Sequence, residues 1–296
     1  MNLSSEQLTE LTAIASYAAE RAGALIREYA NREIEIFRKD AGDSLATQVV
    51  TEVDEKAQSI ILDELEQSIF KYDLALLTEE SEDDGSRHQK DYFWCIDPMD
   101  GTLPFTRRKP GYAVSIGLVG LDGTPSVGVI FDPVENCMYT AAVGLGARIN
   151  GKPWRLLNQK PRASACLRFF CDCTFEDDPD REMMTARMLK FATDQGYASG
   201  EVILGGGAVL NALQVLLNSP AVYFKRPKPK TGGGCSWDFA ASSCFFTDAG
   251  GYVSDFWGKR LELNDAKHQY FNHCGVCFST DALLVASIAE YFGEIE

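Results

Sequence analysis

Near Tyr92 the chain stops carrying long helical stripes and turns to short apolar runs broken by turns, and this switch constrains the fold more than any other feature. Before it, Leu8, Leu11, Ala15, Ala18, Ala22, Leu25 and Tyr29 recur at spacings of three and four, so they lie on one face of a helix. Ser4 and Gln7 have the form of a capping box and predict where that helix starts. Ala57, Ile60, Ile61, Leu65 and Ile69 repeat the pattern over 54–69. Between the two stripes, Ile34, Ile36 and Val49-Val50-Thr51 predict strands, with a turn at Gly42-Asp43. After the switch, the apolar run 93–96 reads as a buried strand that ends at Asp97-Pro98. Further strands are predicted over 112–119, 127–131 and 138–142, with Asn150-Gly151 as a hairpin turn. The expectation is one antiparallel sheet packed against the two opening helices. A polar stretch over 152–165 then leads to a second unit. Helices are predicted there near 178–195, 208–217 and 237–249, with a basic, glycine-rich loop over 225–234.

Charge narrows the function. Lys plus Arg number 28 and Asp plus Glu 43, a net charge of −15 that repels a phosphodiester backbone and predicts no nucleic-acid polymer as partner. A phosphorylated small molecule stays open, because bound cations reverse the local sign. No apolar run approaches the roughly 18 residues of a membrane span, which predicts no membrane partner. Nine Cys, an odd count with no secretory pattern at the start, predict reduced thiols and a cytoplasmic location.

The segment Asp97-Pro98-Met99-Asp100-Gly101-Thr102 carries the chemistry. A turn of this kind directs the Asp97 side chain, the Met99 carbonyl and the Asp100 side chain at hard cations, and oxygen-only ligands favour Mg²⁺ over Zn²⁺. Gly101 and Thr102 open a predicted helix whose free N–H groups and positive end would seat a phosphate. An aspartyl-phosphate nucleophile is excluded, because Pro98 stands where the required first Asp would be. Three more segments supply acids: Thr78-Glu79-Glu80-Ser81 at a strand end, Ser236-Trp237-Asp238 at a helix start, and Val50-Thr51-Glu52-Val53-Asp54 at another. Taken singly, Asp54 and Asp238 read as helix caps more readily than as ligands. The acids at 82–84 read as a solvated charge run.

Together and in this order the four segments resemble the inositol monophosphatase superfamily, Mg²⁺-dependent, lithium-sensitive phosphomonoesterases. Glu79-Glu80, Asp97 to Thr102, Trp237-Asp238-Phe239-Ala240-Ala241 with Ala249-Gly250-Gly251, and Val50 to Asp54 match its motifs. The resemblance covers roughly residues 5–285. It implies a five-layered α/β/α/β/α sandwich of the inositol monophosphatase and fructose-1,6-bisphosphatase type. Residues 1–155 would carry most metal ligands, and 156–296 would complete the active site. It also implies a homodimer as the family's habit. Carried over residue by residue, it makes Glu79, Asp97, the Met99 carbonyl, Asp100 and Asp238 ligands of two or three Mg²⁺ ions. Asp54 and Thr102 would orient and deprotonate the attacking water, and Gly101, Thr102 and Asp238 would touch the substrate. Phosphate monoesters resist nucleophiles because they are anionic, and clustered Mg²⁺ relieves that charge.

The ester itself is less sharply marked. The end of the chain, with Gly258-Lys259-Arg260-Leu261 and Phe271-Asn272-His273, looks more like the branch that hydrolyses 3′-phosphoadenosine 5′-phosphate, a bisphosphate nucleotidase. Lys225, Arg226, Lys228 and Lys230, with Arg107, Arg108 and Lys109, would clamp a second phosphate. The leading expectation is therefore that nucleotide, with inositol monophosphate or another sugar phosphate as the alternative. A non-catalytic binding protein on the same fold is a reading of another class. Gly205-Gly206-Gly207 lacks the spacing of a dinucleotide loop and reads as close packing and a place of ligand contact, not as a cofactor site.

Overall fold

Ser4 accepts a hydrogen bond from the Gln7 amide while the Gln7 side chain returns to the Ser4 amide, so the predicted capping box opens helix α1 (Ser5–Tyr29). The structure, a computed structural model, describes residues 3–32, 36–38, 49–157 and 161–293. Ile34 and the expected turn at Gly42-Asp43 lie outside them. A short antiparallel pair, β1 (Ile36–Arg38) with β2 (Val49–Thr51), leads into α2 (Glu52–Tyr72). The apolar stripes of α1 and α2 pack on each other and on one face of a seven-stranded sheet.

That sheet runs in sequence order through β3 (Ala75–Thr78), β4 (Tyr92–Asp100), β5 (Ala113–Gly120), β6 (Pro125–Asp132), β7 (Cys137–Ala142), β8 (Gly146–Ile149) and β9 (Lys152–Trp154). It departs from the expected antiparallel sheet at one edge. β3 pairs with β4 in parallel, because residues 79–91 carry the chain back far enough to re-enter in the same direction. β4 also does not end at Asp97-Pro98. It continues to Asp100 through a shift of register between Asp97, opposite Ser115, and Asp100, opposite Ala113. Pro98 falls in that irregular stretch, where a missing N–H disrupts no regular ladder. Asn150 and Gly151 both have positive φ, 48° and 75°, as a tight hairpin between β8 and β9 requires.

The second sheet has the order β11-β10-β12-β14-β13 and mixes directions. Its strands are β10 (Cys166–Cys171), β11 (Ser199–Leu204), β12 (Ala221–Lys225), β13 (Tyr252–Ser254) and β14 (Val276–Ser279). Sequence reasoning found three of the helices of this unit, but neither the last one, over 282–293, nor most of these strands. Helices α5 (Ala208–Leu217) and α6 (Ser236–Asp248) fill the space between the two sheets. Helices α4 (Arg181–Asp194) and α7 (Ala282–Gly293) cover the outer face of the second sheet, where Phe191, Ile288 and Phe292 are buried. The layers are therefore helices, sheet, helices, sheet, helices, the expected five. A five-residue helix, α3 (Thr102–Thr106), follows β4 directly. Among the described residues no helix is long and apolar enough to cross a membrane.

Candidate active site

The register shift in β4 turns two acids of one strand into the same cavity, of about 810 Å³, that Asp238 enters from the first turn of α6. One carboxylate oxygen from each of Asp97, Asp100 and Asp238 lies within 4.8 Å of the others. Asp97 and Asp100 are buried, and Asp238 is half-buried. Glu79, just past the end of β3, lines the same cavity, as do Met99, Gly101 and Thr102. The Glu79 amide donates to the Ile96 carbonyl at 3.1 Å, which ties its backbone to β4.

Asp54 stands behind this cluster rather than on its surface. Its Oδ2 accepts from the Thr51 amide at 2.7 Å and the Thr51 hydroxyl at 2.6 Å, while its Oδ1 lies 3.0 Å from Thr102 Oγ1. Thr102 Oγ1 is also 3.2 Å from the Met99 carbonyl oxygen. The cap and ligand readings of these acids are not rivals. Asp54 closes a capping box on α2 while its Oδ1 holds Thr102, and Asp238 closes one on α6 through the Cys235 amide while it also joins the cluster. Gly101 adopts φ 87°, and a Cβ there would meet the Gly111 carbonyl oxygen at 2.4 Å. The sequence expectation of a phosphate seat on a helix dipole needs correction, because α3 has only five residues, too few to build up a macrodipole. What remains there is the bend at Gly101 and the position of Thr102.

Packing acids so closely out of water raises their proton affinity. Burial first, then the charges of Glu79, Asp100 and Asp238, pushes the Asp97 carboxyl well above the usual range. Burial and the Asp238 charge do the same to Asp100. Burial lifts Asp238 to about 6 against the opposing pull of Lys225, and lifts Asp54 to about 6 against its Thr51 hydrogen bonds. An all-oxygen, mutually repelling and largely buried set of this kind fits hard divalent cations, which would relieve the repulsion.

Another part of the cavity wall comes from the second sheet, where Lys225 is joined by residues that sequence reasoning missed. Asp172, just past β10, accepts from Lys225 Nζ at 2.8 Å, Tyr223 Oη at 2.7 Å and Asn211 Nδ2 at 3.1 Å. Burial alone would raise the Asp172 carboxyl, but Lys225 and these hydrogen bonds outweigh it and hold the group below its ordinary value. Asn211 also accepts from the Gly206 amide at 3.1 Å, and the Ala208 and Val209 amides donate to the two oxygens of Asp100 at 3.0 and 2.9 Å. Gly207 sits against that carboxylate, since a Cβ would lie 2.3 Å from Asp100 Oδ2. This is the close packing expected of the three glycines. The basic residues at 225 and 226 and the glycines at 205–207 pointed to this wall, whereas Asp172, Asn211 and Tyr223 belong to no motif.

The basic clusters divide. Lys225, Arg226 and Lys228 line the cavity. Lys230, Arg108 and Lys109 are exposed and do not, and Arg107 pairs with Asp177 at 3.5 Å. The 82–84 charge run is solvated as expected at Glu82 and Asp84, which are exposed, and departs from that reading at Asp83, which is half-buried. Glu82 and Asp83 line the cavity, and Asp83 pairs at 2.8 Å with the buried Arg87, whose Nη1 donates to Asn264 at 2.6 Å.

The sequence profile of the inositol monophosphatase family matches residues 7–294. The Nus factor SuhB of Escherichia coli K12 is 32% identical over 262 residues, covering 83% of this chain and 85% of that protein. The Nus factor SuhB of Xylella fastidiosa is 30% identical over 252 residues, covering 84% and 83%. The solved structure of the Thermotoga maritima IMPase superposes with a TM-score of 0.72 at 23% identity, covering 97% of this chain and 100% of that one. With matched motifs, matched layers and a profile that spans nearly its whole length, the chain belongs to the inositol monophosphatase family.

Proposed function

We propose that this chain is a Mg²⁺-dependent phosphomonoesterase whose substrate is a small phosphorylated polyol of the inositol monophosphate kind. The observation that carries the reading is the meeting of Asp97, Asp100 and Asp238 in one cavity, backed by the Thr102–Asp54 contact. Glu79, Asp97, the Met99 carbonyl, Asp100 and Asp238 are the residues that would hold the cations. When bound, such ions neutralise the charge of the ester and make water a stronger nucleophile. The rest falls to the protein. Thr102 Oγ1 accepts a proton from the attacking water and passes its own to Asp54 Oδ1, 3.0 Å away. Asp54, at about 6, is ionised at neutral pH and close enough to it to take that proton. As the new P–O bond forms, the ester P–O bond breaks, its electron pair leaves with the alcohol oxygen, and that oxygen takes a proton from solvent water while the proton held by Asp54 returns to solvent. Gly101, Thr102 and Asp238 contact the ester. No covalent intermediate on the chain is needed.

The leading expectation from sequence, 3′-phosphoadenosine 5′-phosphate, gives place to the polyol ester because the relatives align with the inositol monophosphatase side of the family. It stays as a second reading, supported by the three basic residues that line the cavity. The relatives' name, Nus factor, keeps a binding role alive beside the enzymatic one, and the absence of a nucleic-acid partner rests on net charge alone. Phosphate release from inositol 1-phosphate, fructose 1,6-bisphosphate and 3′-phosphoadenosine 5′-phosphate, with Mg²⁺ and with EDTA, separates these readings. Mg²⁺-dependent turnover is expected. Stabilisation by Mg²⁺ with no release from any ester would replace the enzyme by a binding protein.

A further inference from the structure

In the second sheet, β10 runs parallel to both β11 and β12, and the connections around it pass on opposite faces: α4 on the outer side, α5 on the inner. A crevice opens at the carboxyl ends of parallel strands where such connections diverge, and ligands of open α/β sheets bind there. Here the strand ends supply Asp172 from β10 and Lys225 and Arg226 from β12. A side cavity of about 180 Å³ lies at this point and shares Asp172, Thr174, Lys225 and Arg226 with the main one. Its floor is apolar, from Met184, Met188 and Phe224, and Asp178 stands at its edge.

At this junction Asp172 and Asp178 match Lys225 and Arg226 in number, but they are not matched in hydrogen bonds. Asp172 is taken up by Lys225, Tyr223 and Asn211. Arg226 then adds a second cation, and its Nη1 is buried with no hydrogen-bond partner among the described residues. A guanidinium nitrogen left in that state costs more than a neutral donor would, and an anion that accepts from it removes the cost. Position matters equally. Asp172, Lys225 and Arg226 line the same cavity as the carboxylate cluster and Thr102, so an ester held at the cluster has them within the cavity it occupies.

We propose that Arg226, with Lys225 held by Asp172, forms a subsite for a second anionic group carried on the alcohol part of the substrate. This rests on the phosphomonoesterase reading and deepens it: among small phosphorylated polyols, the preferred ester is one that carries a second phosphate or a carboxylate beside the phosphate that is cleaved. Lys225 and Arg226 are specificity-determining residues that touch the substrate away from the scissile bond.

Two matched pairs of esters test it: adenosine 3′-phosphate against 3′-phosphoadenosine 5′-phosphate, and glycerol 2-phosphate against glycerate 2-phosphate. Each pair differs at the second anionic group, a phosphate in the first and a carboxylate in the second. The wild-type chain with Mg²⁺ is expected to favour the second-anion member of at least one pair by tenfold or more in kcat/KM. Arg226→Ala should bring that ratio to within about threefold of one by raising KM for that member alone, and Arg226→Lys should restore part of it. The unchanged KM of the neutral member reports that the fold and the carboxylate cluster are intact. Equal rates within both pairs for the wild type, or an equal rise of KM for both members in Arg226→Ala, would overturn the subsite. Failure of the wild type to hydrolyse any of the four, together with inositol 1-phosphate, would instead overturn the phosphomonoesterase reading.

Discussion

Asp54 and Asp238 occupy the third position of their helices, where a carboxylate turns back to an amide three residues earlier, and that duty uses only part of the group. A single-residue reading of sequence ranks such an acid as a cap because the cap is local, while its second contact comes from 48 residues away in the case of Thr102. Each role can be separated by substitution. Asp97→Asn is expected to lower Mg²⁺-dependent phosphate release by about 10³-fold or more while the far-ultraviolet circular dichroism stays unchanged, since it removes a charge from the cation set and little volume. Thr102→Val should reduce kcat by about 10²–10⁴-fold with little change in the Mg²⁺ concentration needed, because it breaks the proton path to Asp54 and spares the cluster. The raised acids also fix a pH dependence. The folded-state value of Asp238, about 6, lies above the ordinary carboxylate value, so the folded chain binds more protons than the unfolded one between roughly pH 4 and 6. The stability this group gives is present at low pH and is lost as pH rises through about 6. In EDTA, Asp238→Asn should therefore melt about 2–4 °C above the wild type at pH 7.5, with the gap closing by pH 5. Mg²⁺ should raise the wild-type Tm more at pH 7.5 than at pH 5.5, because protons and cations compete for the same oxygens.

The start of α5 shows how an element sets the site. Its first amides hold both oxygens of Asp100, its Asn211 reaches back to Gly206 and across to Asp172, and Gly207 leaves no room for a side chain beside the carboxylate. Gly207→Ala should push Asp100 out of place and raise the Mg²⁺ concentration for half-maximal activity by about tenfold, read by titration of the metal, on the scale of lost outer-shell support. Helices of this kind were legible in sequence. The stripe of α1, its capping box and the span 208–217 of α5 follow from local spacing and local hydrogen bonds. The strand carrying Asp97 and Asp100 was read as ending too early, since Asp-Pro and Asp-Gly mark turns in isolation. In the structure, pairing with β5 carries β4 through them as an irregular strand. The four acidic segments could be recognised as a set because each is a short contiguous motif. Asp172, Asn211 and Tyr223 could not, because their grouping exists only once β10, α5 and β12 are side by side.

At the scale of the molecule, α6 joins the two sheets through adjacent rings. Phe245 meets Tyr139 of the seven-stranded sheet at 5.7 Å, and Phe246 meets Phe278 of the five-stranded sheet at 5.2 Å. Ala240 and Ala241 let the helix lie close on Gly117 and Gly128. The core around α5 and α6 draws side chains from both sheets, which predicts one cooperative transition rather than two. Phe246→Ala should cost about 3–5 kcal/mol and move that transition as a unit, with tertiary absorbance and activity lost at the same denaturant concentration. Two sheets bound to one middle layer also explain why the cavity draws on acids as distant in sequence as Glu79 and Asp238. The acidic cluster carries one more consequence, for the lifetime of the chain. Anions crowded out of water strain the native state until ions arrive, so scarcity of divalent salts should increase the share of molecules open to proteolysis. Digestion by trypsin, whose catalysis needs no metal ion, should run several times faster in EDTA than in millimolar Mg²⁺. The supply of ions would then govern how much of this protein persists, as well as whether it works.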